Sequence, residues 1–292
     1  MYLYEARSIC NRFDNTDNIS DEDFFLYTEA MHYLINETQD PNCMCQLGCA
    51  YNGRKDYELA LKYFELALAH GNEFANLCLG YIWMYGRIGF FDYKKAFEYF
   101  SALPHDVNAQ YKIADMYKNG LYVRKDSHKY KEIIERLYRE VKDDDDDDGY
   151  SCKAEISLRL AEIRADEGET EEAVFLYRDA KSIMAERMIY DTFFGHIDIM
   201  HRIIDNLYRL TDVNKKNFDL YDLFELLKKP VRIRFEYNDE QFMIESVAED
   251  EGMAICFNDK WFRDTVDFFE KAEIDGERLT TISWELNEFE VI

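Results

Sequence analysis

The chain has 292 residues, with 35 Lys and Arg against 60 Asp and Glu, for a formal charge of −25. That balance excludes a direct duplex nucleic-acid binder, whose affinity comes from basic groups displacing counterions, and it disfavours docking on an anionic membrane. With 47% apolar and 16% aromatic residues but only 3 Pro and 12 Gly, the chain builds a sizeable core from long elements rather than from many tight turns.

Residues 2–13 read as a short helix. They carry no basic n-region and no apolar h-region, so no leader is expected, and no stretch approaches the roughly 18 apolar residues of a membrane span. Ser20 followed by Asp21, Glu22 and Asp23 opens a second helix, with carboxylates at the positive end of its dipole. That helix runs to about Glu37, and Pro41 breaks the pattern.

From Cys43 the chain repeats itself. Leu47-Gly48-Cys49-Ala50-Tyr51 returns as Leu79-Gly80-Tyr81-Ile82-Trp83 and, more loosely, as Ile113-Ala114-Asp115-Met116-Tyr117, at steps of 32 and 34 residues. In step with it, Asp56-Tyr57-Glu58-Leu59-Ala60-Leu61-Lys62-Tyr63-Phe64 matches Asp92-Tyr93-Lys94-Lys95-Ala96-Phe97-Glu98-Tyr99-Phe100. Each unit is a helix, a loop and a second helix opening at an Asp, with Gly71-Asn72 closing the first unit. A period in the low thirties built from two helices predicts a helical solenoid. Gly48, Gly80, Ala60 and Ala96 are placed where two helices must approach closely, and the aromatic pairs after the alanines fill the next layer.

These motifs resemble the Sel1-like repeat, a relative of the tetratricopeptide repeat, over about residues 43–188. Tyr85-Gly86-Arg87-Ile88-Gly89 and the segment from Asn119 to Asp126 look like that family's inter-helix loop. The first unit shortens the loop to Gly53-Arg54-Lys55-Asp56, and the third has Lys131-Glu132-Ile133 where a small residue belongs. A fourth unit is closer to a plain tetratricopeptide, with Leu160-Ala161, Glu172-Ala173 and Leu176-Tyr177. The resemblance implies a protein-binding array whose first helices line the concave face. On it, Asn76, Tyr81 and Met84 in one repeat and Gln110, Lys112 and Lys118 in the next are the contact candidates.

A further helix over 190–210 is a candidate cap for the array, and the texture then changes. Asn217 is positioned to cap a helix over 218–229, which Pro230 ends. Val231, Ile233, Phe235 and Tyr237 alternate with Arg232, Arg234 and Glu236, and apolar runs at 242–247 and 253–257 follow, predicting a β-meander. A helix near 264–272, with Val266, Phe269 and Ala272 inward, and a last strand at 289–292 complete a small α+β domain. The expected fold is therefore mainly α: a helical-hairpin repeat solenoid over 1–211 followed by an acidic α+β domain over 212–292. Residues 218–292 hold 20 acidic and 8 basic side chains, a net −12.

Three side-chain patterns invite chemistry. Asp144-x-Asp146-x-Asp148-Gly149 with Glu155 at position twelve fits a calcium-loop template, but Asp143 through Asp148 is a homopolymer that supplies the spacing automatically, and Ser151 stands where an apolar residue belongs. A solvated acidic connector is the plainer reading. Cys43-x-Cys45-x3-Cys49, with Cys78 in the next repeat, raises the possibility of zinc. Cys43 lies off the face that Cys45 and Cys49 share, so these thiols read as small apolar side chains in helix contacts. His196, Asp198, His201 and Asp205 on one helix read as a polar edge.

Phosphate-binding Gly-rich loops, nucleophile elbows and zinc-protease motifs are not found in the sequence, so the reading expects no enzyme, no resident metal and no cofactor. Seven Cys, an odd number with several in apolar periodic segments, point to a reducing cytoplasmic setting. The expected function is a non-enzymatic interaction or adaptor protein whose partner carries a basic surface. Glu249, Asp250 and Glu251 at a predicted turn are the candidates for steering that partner. The alternative is an acidic inhibitor that mimics nucleic acid and blocks a basic nuclease or effector.

Overall fold

The structure, a computed structural model, describes residues 2–13, 20–143, 152–190, 194–214, 218–249 and 252–292. It is mainly helical, and it divides into two compact units, residues 1–133 and 134–292.

The first unit is a run of helices: α1 (Leu3–Phe13), α2 (Asp21–Thr38), α3 (Pro41–Gly53), α4 (Tyr57–Ala69), α5 (Ala75–Met84), α6 (Tyr93–Ser101), α7 (Val107–Asn119) and the start of α8 (Ser127–Val141). The boundaries follow from capping. Asp56, Asp92 and Asp106 accept from the backbone N–H of Leu59, Lys95 and Ala109 at 3.2, 3.0 and 2.7 Å. Asp40 caps α3 with Pro41 in its first turn, so the proline that ends one pattern begins the next helix. Gly120 closes α7 in the left-handed conformation at φ 70°.

Successive helices pack as hairpins, α3 on α4 and α5 on α6, with α4 against α5 and α6 against α7. The small residues set the spacing. A Cβ on Gly48 would lie 2.6 Å from Cδ1 of Phe64, and one on Gly80 would clash with Cε1, Cδ1 and Cζ of Phe100. Ala60 and Ala96, one turn before those rings, are fully buried. Glycine is required at 48 and 80 because the ring of the second helix occupies the volume of a methyl group.

In the second unit, α9 (Lys153–Asp166) and α10 (Thr170–Tyr190) form the fourth hairpin, with Ala173 and Tyr177 buried at the spacing of Ala60 and Phe64. Helix α11 (Phe194–Leu210) packs on α10 and then on the elements that follow. A 3-10 turn over Leu220–Asp222 leads into the short α12 (Leu223–Leu226). This replaces the expected 218–229 helix. Asn217 lies outside the described residues, and the cap is a box in which Asp219 accepts from the Tyr221 and Asp222 amides while Asp222 accepts from the Asp219 amide.

Asp222 then joins the two textures of the sequence. It is buried, and its carboxylate accepts from Lys181 Nζ and from Tyr208 Oη, each at 2.6 Å. His201 stacks on Phe224 at 4.8 Å, and Phe224 on Phe269 at 4.0 Å. The change of texture at 211/212 therefore falls inside the second compact unit.

The sheet contains β1 (Val231–Tyr237), β2 (Glu240–Glu249), β3 (Gly252–Phe257), β4 (Lys260–Phe262) and β7 (Asn287–Val291), antiparallel in the order β4-β3-β2-β1-β7. Two-residue Asn-Asp turns, 238–239 and 258–259, have positive φ at both positions, the primed geometry that matches strand twist. Ile233, Phe235, Ile244 and Phe257 point into a core shared with Phe268 and Phe289. Helix α13 (Thr265–Lys271), capped by Asp264, buries Phe268 and Phe269 rather than the expected Val266. A small pair, β5 (Glu273–Ile274) with β6 (Glu277–Arg278), was not foreseen.

Candidate functional site

The surface of the first unit that gathers the most chemistry lies where the second hairpin meets its neighbours. Tyr81 of α5 stacks on Tyr85 with ring centroids 6.0 Å apart and planes at 11°, and its ring meets the edge of Phe100 at 5.5 Å. Lys112 of α7 reaches back from the third hairpin, its Nζ 5.7 Å from both tyrosine rings and 4.8 Å from Tyr111. From the other side the Arg87 guanidinium lies 5.7 Å from Tyr57 and Tyr85, and its Nη1 donates to Asn52 Oδ1 at 2.7 Å. Side chains of all three hairpins thus share one cation–aromatic cluster. Contacts of this kind contribute roughly 0.5–1 kcal/mol each at exposed sites. Tyr85 is 46% exposed, and Phe90 and Phe91 in the adjoining loop are 57% and 61% exposed, so the cluster borders an apolar surface open to solvent.

A second grouping lies at the seam of the first and second hairpins. The sulfurs of Cys45 and Cys49, one turn apart on α3, and of Cys78 on α5 all lie within 4.8 Å of one another. Cys45 is buried, Cys78 half-buried and Cys49 exposed. Hydrogen bonds from Cys45 and Cys78 pull the Cys49 thiol well below the ordinary thiol range, while Cys45 is pushed up by its bond to Cys49 and Cys78 by its bonds to Cys45 and Cys49. Cys43 is outside the group, as its place on the helix requires.

The family model for the Sel1 repeat matches residues 41–72, 75–102 and 107–129, the same three hairpins whose caps and glycines are described above. Residues 41–129 are Sel1 repeats. The fourth hairpin lies beyond the matched residues. Among solved structures, a Sel1 repeat protein from Oxalobacter formigenes is similar in fold, with a TM-score of 0.54 at 18% identity, covering 77% of this chain and 84% of that one. PilW, a widely conserved type IV pilus biogenesis factor, aligns over 71% of this chain and 90% of its own at 12% identity, with a TM-score of 0.46. No curated protein matches the chain in sequence.

Within the Sel1 repeats, the structure brings together two of the six contact candidates, Tyr81 and Lys112. Asn76 and Met84 are buried, keeping only 8% and 9% of their surface exposed. Asn76 faces its own N-terminal turn and donates to the Glu73 carbonyl at 3.0 Å. Gln110 is half-buried and donates to the Leu103 carbonyl at 3.2 Å, and Lys118 lies over Tyr130 at 5.1 Å. Tyr85 and Arg87 complete the cluster and were missed. Their signal was an aromatic and a basic residue flanking Gly86 in the loop already aligned with the family.

Glu249 is exposed at the end of β2, whereas Asp250 and Glu251 lie outside the described residues. So do Asp144, Asp146 and Asp148 of the calcium-loop pattern. Glu155 is described, and its two oxygens accept from Arg187 Nη1 at 3.1 and 3.2 Å. His201 lies 3.5 Å from Asp205 on α11, and Asp205 also pairs with Lys228 at 2.6 Å.

Proposed function

We propose that the chain is a non-enzymatic interaction scaffold that grips another protein on its Sel1 repeats. The observation that supports this most is the Tyr57–Tyr81–Tyr85–Arg87–Lys112 cluster, a partly exposed cation–aromatic surface assembled from three hairpins and bordered by exposed Phe90 and Phe91. Aromatic and cationic side chains of this kind are the usual anchors of protein interfaces, and helical repeats present them on an extended surface. Repeats of this family generally mediate protein–protein contacts, and that agrees with the reading. Affinity capture with the full chain, compared with the Tyr85→Ala/Lys112→Glu variant, tests it. A partner held by the wild type and lost by the variant is the expected result, and equal capture by both removes the cluster from the interface.

The partner's basic surface belongs to the same proposal. Lys228, Arg232, Arg234, Lys260, Arg263 and Lys271 each pair with a carboxylate, and residues 218–292 still carry a net −12. Such a field raises the association rate of a basic partner and is screened over about 8 Å at physiological salt. The same excess supports the second reading, an acidic mimic of nucleic acid that occupies a basic groove. A partner whose nucleic-acid binding is competed by this chain selects the second reading over the first. A reducing, cytoplasmic location is part of the proposal and is supported by seven free thiols.

A further inference from the structure

We propose that Cys45, Cys49 and Cys78 form a binding site for a thiophilic d10 cation, Zn(II) or Cu(I), at the seam between the first two repeats. The geometry is close to what such an ion needs. Metal–sulfur bonds of about 2.3 Å place the sulfurs of a trigonal or tetrahedral shell roughly 3.8–4.0 Å apart. The three sulfurs here already lie within 4.8 Å of one another, so side-chain rotation without helix movement closes the shell.

The backbone that carries them is fixed. Asp40 and Pro41 anchor the start of α3, and the tight fit of Gly48 on Phe64 and Gly80 on Phe100 sets the depth of α3 and α5 in their hairpins. Cys45 closes the inner side of the site, and exposed Cys49 leaves an approach from solvent. Cu(I) is satisfied by three thiolates, whereas Zn(II) takes water or an exogenous ligand as a fourth at that open side.

Thiols bind a metal as thiolates, so binding releases protons and affinity falls as pH is lowered. A disulfide between any two of the three strands the third, whereas one cation uses all three. A bound ion also ties α3 to α5 and so stiffens the surface on which Tyr81 lies. The site itself stands independently of the interaction reading.

The test uses the full chain, reduced, freed of metal with a chelator and titrated anaerobically with Zn(II) and, separately, with Cu(I) against a chromophoric competitor. One ion per chain is expected for at least one of the two, and the arm that binds assigns the ion. Cys49→Ser and Cys78→Ser each weaken binding about 100-fold or more, beyond the 10–100-fold of an outer-shell change. Cys43→Ser leaves binding unchanged. A second readout needs no variant: in the wild type the bound ion protects Cys49 and Cys78 from alkylation, while Cys43 and Cys256 gain no protection. Absence of stoichiometric binding by both ions, undiminished affinity in Cys78→Ser, equal loss in Cys43→Ser, or uniform alkylation with metal present each overturns the proposal.

Discussion

The Sel1 repeats and the C-terminal sheet solve the same packing problem with contacts of different range. In the repeats, Gly48 meets Phe64 16 residues later, and Gly80 meets Phe100 20 residues later, so both of these close contacts are made inside one hairpin. In the sheet, β7 pairs with β1 through Ile233 and Val291, across more than fifty residues of intervening chain. The repeats therefore advertise their contacts as a period, while the sheet advertises only which face of each strand is apolar. Charge divides them as well. The repeats display a cation–aromatic cluster, whereas the sheet region ties most of its cations into ion pairs and leaves acids in excess.

The comparison breaks most visibly at Asp222, where long-range contact replaces periodicity. Asp222→Ala strands the half-buried Tyr208 hydroxyl and leaves Lys181 with Asp219 alone, at 2.8 Å, so a loss of about 3 kcal/mol in urea unfolding is expected. The Tyr208 hydroxyl, held far above its ordinary range by burial and by its bond to Asp222, should then titrate closer to the free phenol in an ultraviolet pH titration.

Within the repeats, Gly80→Leu and Ala96→Leu should each cost roughly 1–3 kcal/mol through overpacking, read in the same urea melts. Gly80→Ala combined with Phe100→Leu should recover part of the loss, because the ring is what fills the space. Unchanged melts for both single variants would mean that the repeat register is not what positions the helices.

A smaller effect is expected at α13. Burial works to raise the Asp264 carboxyl, but the Asp267 amide, which donates to it at 2.8 Å, and the Arg263 guanidinium outweigh that and hold it below the usual carboxylate range. A depressed folded value contributes stability above the unfolded value of about 4, and that contribution is lost as pH falls through the folded one. Asp264→Ala should cost about 1 kcal/mol at neutral pH and flatten that part of the acid limb in thermal melts taken from pH 7 downward.

The smallest change in stability is expected at the proposed interface. Tyr85→Ala should leave unfolding within about 0.5 kcal/mol of the wild type while reducing partner capture. A large loss of stability would make Tyr85 a packing residue rather than a contact.

Much of this fold was legible because helix hairpins are local. The Asp at each second-helix start, the Gly and Ala at close approaches and the alternation after Pro230 each follow from backbone and side-chain sterics acting within a few residues. By itself the sequence determined the class, the three matched repeats, the fourth hairpin and the placement of strands beyond 230. Only the tertiary structure decided what those elements bring together. The step of 32 residues puts Cys78 in register with Gln46, so its closeness to Cys45 and Cys49 depends on how α3 lies beside α5. Asp222 both completes the capping box with Asp219 and accepts from Lys181 and Tyr208, partners the chain reaches only after it has folded back. Periodicity records contacts that recur at fixed separation, and convergence across separate elements has no period to record.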